Sequence, residues 1–389
     1  MSDSKAGERK LLFLVDGAKG HTGSFLVREL LTTYQDCRII ATDLPDTSRE
    51  EVMTKEKVFR TDIGSSHEFL KDPRVEFIPS DLTKPETLNS ILENRIFDVI
   101  FHPASLYDYF AELKLLRKIN VEGTENLLKL IVKTQDLDRL RFIHWSTCGV
   151  YGEPKYKKDT KGYPIPANEN SPYNPSNDYS ISKMEQELVV KEYYEEHGVK
   201  ITIIRPAPIY GPEDTYGGLH IMQTLTKTGF SILAHIYPKK KRLALPLIHV
   251  KDLVRAAIFL AERDEAIGEV YNVIADVFEQ DEVLEYIYRL LGVKYYNIPI
   301  WWPLYKLFTK ILFAIAAWKQ NQAKKQGIRP KFDLPMVGYL KQNFRFSNEK
   351  LKALGFKFLY PGYERGIKEV FDWYIEHRWV ERETVKWDS

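Results

Sequence analysis

Tyr179 and Lys183 stand four residues apart in Tyr179-Ser180-Ile181-Ser182-Lys183, a spacing that puts a phenol and an ammonium on one face of a helix. A free tyrosine titrates near ~10, and an adjacent ammonium lowers that by favouring the phenolate, so the pair suits proton transfer near neutrality. The spacing arises by chance in many helices, and its meaning depends on its company. Upstream, Trp145-Ser146-Thr147-Cys148-Gly149-Val150-Tyr151-Gly152 ends an apolar run, at the kind of edge where ligands bind in open α/β sheets. Nearer the amino terminus, Gly17-Ala18-Lys19-Gly20-His21-Thr22-Gly23 follows another apolar run and opens a helical pattern through Phe25, Leu26, Leu30 and Leu31. Glycines there let the backbone approach a pyrophosphate, while the N–H groups and positive dipole end of the helix hold its charge. A plain glycine-rich turn has the same letters; the strand before and the helix after favour a nucleotide. Asp43, twenty residues past Gly23, can accept both ribose hydroxyls of an adenosine and would repel a 2′-phosphate, which favours NAD over NADP. Asp81, in Pro79-Ser80-Asp81-Leu82, suits either an adenine amino group or a helix cap.

Such groups need a rigid scaffold. Short apolar runs at Leu11–Asp16, Arg38–Asp43, Val75–Pro79, Phe97–His102, Arg141–Thr147 and Lys200–Arg205, separated by helical patterns, read as buried parallel strands in βαβ units. The expected fold class is α/β, a doubly wound parallel sheet with a smaller C-terminal substrate lobe. Residues 1–205 are expected to form mainly the nucleotide-binding domain and 206–389 mainly the lobe, with about 245–275 returning to the first. Between Gly152 and Asp178, five prolines and no periodicity mark a long ordered loop of the kind that carries function. The chain of 389 residues is 44% hydrophobic and 28% charged, a folded composition, and its net charge of +2 gives no reason to expect nucleic acid. Two cysteines, Cys37 and Cys148, exclude a disulfide framework and a thiolate zinc cluster. With a polar amino-terminal stretch that lacks an apolar signal core, they point to a reducing, cytoplasmic setting. His102 and His144 have no ligand-spaced partners and read as packing residues, so no metal is expected, and no histidine is placed to activate Cys148.

In their order along nearly the whole chain, these pieces resemble those of extended short-chain dehydrogenases/reductases in the NAD-dependent epimerase/dehydratase superfamily, built on a Rossmann sheet. The resemblance rests on the glycine motif, Asp43, Asp81, His102-Pro103-Ala104-Ser105, Asn120-Val121-Glu122-Gly123-Thr124, and Thr147 before Val150-Tyr151-Gly152. Tyr179 with Lys183, Arg205-Pro206-Ala207 with Tyr210-Gly211-Pro212, and His249-Val250-Lys251-Asp252 complete it. It implies a catalytic set: Thr147 hydrogen-bonding the reacting oxygen, Tyr179 as acid/base, Lys183 gripping the nicotinamide ribose, and Asn120 holding a water for proton relay. For NAD it implies Gly17, Gly20, His21, Thr22, Gly23, Asp43, Asp81, Leu82, Pro103, Ala104, Tyr179, Lys183 and Pro206. It also implies a homodimer.

Cys148-Gly149 stands where dehydratases that resemble this chain carry Asp-Glu, so loss of water is not expected. Nucleotide-sugar epimerases usually carry an asparagine after Arg-Pro-Ala and an arginine shortly before the Val-x-Asp motif, both serving the substrate's diphosphate. Here Pro208 and Leu245-Pro246 stand at those places, and neither donates to a phosphate. An apolar replacement for an anion clamp is similar to the 3β-hydroxysteroid and sterol dehydrogenase branch and predicts a lipophilic secondary alcohol. The alternative is a nucleotide-sugar 4-epimerase with tightly held NAD, for which Lys239-Lys240-Lys241-Arg242 is either a displaced clamp or a solvated loop. Tyr295–Trp318, with Trp301, Trp302, Phe308, Phe313 and Trp318 among Lys306 and Lys310, has no uninterrupted apolar run long enough for a span. It fits peripheral membrane contact through 301–318, or equally a core helix or the mouth of an apolar pocket.

Overall fold

The structure, a computed structural model, describes residues 10–45, 67–153, 158–160, 164–214, 222, 232–239, 243–326, 338 and 343–380. Strands form where the apolar runs stand: Leu11–Val15 (β1), Cys37–Ala41 (β2), Val75–Phe77 (β3), Val99–His102 (β4), Arg141–Trp145 (β5) and Ile201–Pro206 (β6). β1, β2, β3 and β5 stop one or two residues before the runs do, because the backbone there leaves the sheet and carries Asp16, Asp43 and Thr147 past its carboxyl edge. Later strands are Ile209–Tyr210 (β7), Ile232–Pro238 (β8), Ala244–Leu245 (β9), Ile248–His249 (β10), Val270–Val273 (β11), Phe278–Glu279 (β12) and Lys294–Ile300 (β13). The helices are His21–Thr33 (α1), Pro85–Leu92 (α2), Leu113–Leu116 (α3), Gly123–Thr134 (α4), Asp178–His197 (α5), Val250–Ala261 (α6), Gln280–Leu290 (α7), Trp302–Gln326 (α8), Glu349–Ala353 (α9) and Tyr363–Glu376 (α10).

Seven strands pair in the order β11-β6-β5-β4-β1-β2-β3, all parallel, with β1 between β4 and β2 at the point where the winding reverses. Successive side chains of β1 face opposite layers: Phe13 and Val15 join Leu26 and Leu30 of α1 and Leu253 and Val254 of α6, whereas Leu14 joins Leu88, Leu127, Ile131 and Val190 of α2, α4 and α5. Burial on both faces is why these strands read as continuous apolar runs.

A separate cluster of Tyr210, Met222, Phe278, Val283, Ile287, Ile367, Val370 and Tyr374 forms the core of the C-terminal elements. Asp252 of α6 ties those elements to the sheet by accepting from Leu359 N–H at 2.7 Å and Tyr360 N–H at 2.8 Å, and the Tyr360 ring stacks on His249 at 3.9 Å. The loop before α5 is anchored from below by buried Arg205, which pairs with Glu187 and donates to Tyr173 Oη and the Glu169 carbonyl, both at 3.1 Å. Burial works to raise the Glu187 carboxyl, but hydrogen bonds and charge from Arg205 hold it at about 2. Among the described residues no helix is long and apolar enough to cross a membrane. Pro154, and the cations Lys240, Lys241 and Arg242 of the alternative clamp, lie outside the described residues, as does most of the polar amino-terminal stretch.

Candidate active site

A cavity of about 880 Å³ runs along the carboxyl edge of the sheet. Gly17, Gly20, His21, Thr22, Gly23, Asp43, Asp81, Leu82, Pro103, Ala104, Tyr179, Lys183 and Pro206 all line it, and so does Thr147. The glycine turn is made by close approach. Gly17 has a φ of +58°, and a Cβ there would lie 3.0 Å from Ala104 Cα; a Cβ on Gly23 would lie 2.1 Å from the Gly17 carbonyl oxygen. Gly20 differs, since its Cβ would meet only that carbonyl, at 3.1 Å. It heads α1, and no side chain caps the helix there, so the positive end of the helix meets the cavity through backbone alone. Asp43 folds back on the turn, its carboxylate accepting from the N–H groups of Lys19 and Leu44, both at 2.8 Å. Asp81 lines the cavity, and its Oδ1 accepts from Thr83 N–H at 2.9 Å and Thr83 Oγ1 at 2.7 Å in the turn before α2, a helix that Asp81 does not cap. Burial lowers the pKa of His21, and the neutral ring donates from Nε2 to the Pro212 carbonyl at 2.9 Å, tying the turn to the segment after β7. A cradle that a Cβ would fill, an uncapped helix end and Asp43 beside it fit the pyrophosphate and adenosine ribose of NAD.

Tyr179 stands in the first turn of α5, whose cap is Asn177, accepting from Ser180 N–H at 2.8 Å. The rings of Tyr107 and Tyr109 meet Tyr179 edge-on at 5.0 and 5.4 Å, and Ser105 hydrogen-bonds it. Burial pushes the Tyr179 phenol well above its ordinary value, Tyr109 adds to that, and the Ser105 bond opposes both only in part. Burial also lowers Lys183 to about 7, against the charges of Glu187 and Asp16. Its Nζ donates to the Trp145 carbonyl at 2.6 Å and to Gln186 Oε1. The expectation that the Lys183 ammonium draws the phenol down is therefore not met: desolvation governs both groups, and the amine is held by Trp145 and Gln186. Thr147 Oγ1 accepts from Gly149 N–H at 3.0 Å, which fixes the hydroxyl at the cavity wall and leaves its own proton out of that bond.

Asn120 does not line the cavity. It is fully buried behind the wall, not on it, with Oδ1 accepting from Leu106 N–H at 2.7 Å and Nδ2 donating to Ser182 Oγ at 3.1 Å. A wide π-type turn at Arg117–Glu122 brings it inward, where its amide braces the loop after β4 against α5.

Behind Lys183 runs a buried polar chain that the sequence reading missed. Gln186 Nε2 donates to Thr124 Oγ1 at 2.6 Å, Thr124 Oγ1 lies 2.7 Å from His102 Nε2, and His102 Nδ1 bonds the Asp16 carboxylate, which also accepts from Ala104 N–H at 2.9 Å. His102 is thus a bridge as well as a packing residue. The position of Gln186, one helical turn after Lys183, was an available signal. His144 is buried with both ring nitrogens unpartnered, and burial holds it well below its usual pKa. The Cys148 thiol donates to the Arg205 carbonyl at 3.1 Å and burial pushes it up, the opposite of an activated nucleophile.

Elsewhere the wall mixes polar residues, among them Lys118, Asp214 and Gln280, with a larger apolar set. Leu106, Met222, Leu245, Leu247, Val283, Leu284, Ile287, Phe344, Phe346, Ile367 and Val370 line it together with Pro208, and among the described residues no arginine does.

The sequence profile of the NAD dependent epimerase/dehydratase family matches residues 13–273. Among curated proteins, the chain is similar to a candidate UDP-glucose 4-epimerase of Methanocaldococcus jannaschii, 24% identical over 339 residues that cover 86% of this chain and 100% of that protein. It is also similar to a trifunctional UDP-glucose 4,6-dehydratase/UDP-4-keto-6-deoxy-D-glucose 3,5-epimerase/UDP-4-keto-L-rhamnose-reductase of Arabidopsis thaliana, 25% identical over 370 residues, 94% of this chain and 47% of that one. The chain thus spans about half the length of the plant protein. Among solved structures, the dTDP-glucose 4,6-dehydratase of Bacillus anthracis in complex with NAD superposes with a TM-score of 0.66 at 22% identity, covering 97% of this chain and 100% of that one. At that identity the likeness speaks for the fold.

Proposed function

We propose, for a chain that belongs to the NAD dependent epimerase/dehydratase family, an NAD-dependent oxidoreductase that interconverts a secondary hydroxyl and a ketone. The observation that carries this reading is that one cavity gathers Thr147, Tyr179 and Lys183 with the glycine turn and Asp43. Held at that turn, NAD supplies a hydride acceptor for oxidation and a hydride donor for reduction. In reduction the neutral Tyr179 phenol gives its proton to the ketone oxygen and is left as phenolate, and in oxidation the phenolate takes the hydroxyl proton back, while Thr147 orients the oxygen with its own O–H. Lys183, steadied by Trp145 and Gln186, is the residue for the nicotinamide ribose. Tyr107 and Tyr109 keep water from the phenol, which strengthens each polar contact made there.

On substrate class, the relatives favour a nucleotide sugar, because the names they carry are those of nucleotide-sugar epimerases and dehydratases. In 4-epimerisation the ketone is reduced again from its opposite face, and no NADH accumulates. The hydroxysteroid reading draws no support from these relatives and yields first place. One observation favours a second reading, a lipophilic alcohol: the apolar wall of Leu245, Leu247, Val283, Phe344, Ile367 and Val370. The deciding experiment assays the purified protein with UDP- and dTDP-sugars for epimer formation and, in parallel, with long-chain and cyclic secondary alcohols for NADH. Epimers without NADH support the first reading, and NADH with a lipophilic alcohol the second. In either case Tyr179→Phe should lower kcat by about 100-fold or more with calorimetric NAD affinity nearly intact; full activity in that variant would remove Tyr179 from its role. A homodimer in the cytoplasm remains part of the proposal, and light scattering checks the oligomeric state.

A further inference from the structure

Helix α8 wears its apolar face outward. The side turned to the protein carries Tyr305, Thr309 and Gln320, each less than 9% exposed, whereas Leu304, Leu307, Ile311, Ile315 and Trp318 are 53%, 54%, 52%, 47% and 61% exposed. At about 100° per residue those five fall within roughly 80° of arc, a single stripe along the helix. Trp301, just before the helix, is 74% exposed. The aromatic residues singled out from sequence are only partly the exposed ones, since Trp302 and Phe308 are half-buried. No described residue of α8 lines the NAD cavity, so the helix is not the pocket mouth. A surface helix of a soluble protein ordinarily has the reverse arrangement, and contiguous apolar surface of this extent marks a contact site.

Charge says what the contact is. From Tyr286 to Phe332, a run of 47 residues, there is no aspartate or glutamate and there are nine lysines and arginines, in a chain whose 54 carboxylates average about one per seven residues. On α8 itself, Lys306, Lys310, Lys319 and Lys325 are exposed. Two copies meeting stripe to stripe would bring two cationic, acid-free faces together, so self-association is opposed. An anionic lipid surface has the complementary chemistry: headgroup charge for the lysines and an acyl boundary for the stripe.

We propose that α8 docks flat on an anionic bilayer through Leu304, Leu307, Ile311, Ile315 and Trp318, with the lysines at headgroup level. The helix lies in the interface plane, in keeping with the absence of any spanning helix among the described residues. This docking depends on neither substrate reading, so its failure and theirs are separable.

The test is co-sedimentation of the full chain with vesicles of phosphatidylcholine alone and of phosphatidylcholine with phosphatidylserine at about 7:3. The expected result is binding to the anionic vesicles, at least about tenfold weaker on the neutral ones and reduced by salt. Leu307→Ser/Ile311→Ser/Ile315→Ser and, separately, Lys310→Glu/Lys319→Glu should each lower binding at least about tenfold; all five sites are exposed, and unchanged NAD affinity confirms an intact fold. Wild type that stays in solution with anionic vesicles, or variants that bind as wild type does, would overturn the proposal. So would a stripe-dependent dimer in light scattering without lipid, which would assign the face to a second copy.

Discussion

Lys183 has given up water on every side, and burial takes its pKa from 10.5 to about 7. The sign of the consequence follows from proton counting. Between about 7 and the ordinary lysine value the unfolded chain keeps the proton that the folded chain has released, so stability should rise with pH across that interval and be least below it. Urea unfolding of the ligand-free protein from about pH 6.5 to 9.5 checks this. Lys183→Met, which cannot titrate, should flatten the slope, and a slope that persists in that variant would place its source elsewhere. Gln186 is bound up with the same equilibrium, because its carbonyl oxygen accepts from the amine while its amide donates to Thr124. The site thus holds a phenol and an amine that burial, above all, drives toward their neutral forms.

At the scale of elements, the glycine turn separates two kinds of necessity. Gly23→Ala sets a methyl 2.1 Å from the Gly17 carbonyl, so it should destabilise the ligand-free fold as well as abolish NAD binding. The Cβ that Gly20→Val adds meets only the Gly17 carbonyl within 4 Å, so this variant should leave the melting temperature within a few degrees while abolishing NAD binding. Thermal melts beside calorimetric titration of both variants distinguish the cases, and undiminished NAD affinity in Gly20→Val would move the pyrophosphate elsewhere. The same turn shows what a sequence discloses. Strands buried on both faces must be apolar along their whole length, so β1 to β6 were legible, and with them the carboxyl edge where Asp43 and Thr147 stand. Asn120 was legible as a residue but not as a brace, because its inward turn depends on the wide turn at Arg117–Glu122. The Asp16–His102 pair joins residues 86 positions apart and leaves no local trace. For α8, periodicity reports that a stripe exists and is silent on whether protein covers it, which only the packing of Tyr305 and Thr309 decides.

At the scale of the molecule, the cavity draws its wall from both ends of the chain, Gly17 and Asp43 from the first strands and Ile367, Val370 and Tyr374 from α10. Asp252 and the His249–Tyr360 stack join the same two regions. Unfolding should therefore be one calorimetric transition that NAD moves upward as a whole, by about 2.7 kcal/mol at a hundredfold excess over Kd. Two peaks of which NAD shifts only one would show that the C-terminal elements melt alone. The division of the wall between distant segments also bears on synthesis. Ribosomes emit the chain in order, so β1 to β6 are complete at Pro206, whereas the last wall residue, Tyr374, follows 168 residues later. At roughly 5–20 residues per second that interval lasts about 10–30 s. Throughout it the emerging polypeptide bears half a cavity, with Leu245, Leu247 and Val283 appearing before Ile367 and Val370 exist to cover them. Such a nascent chain exposes apolar surface of the kind that holding chaperones bind, and slow codons after Pro206 would prolong that exposure.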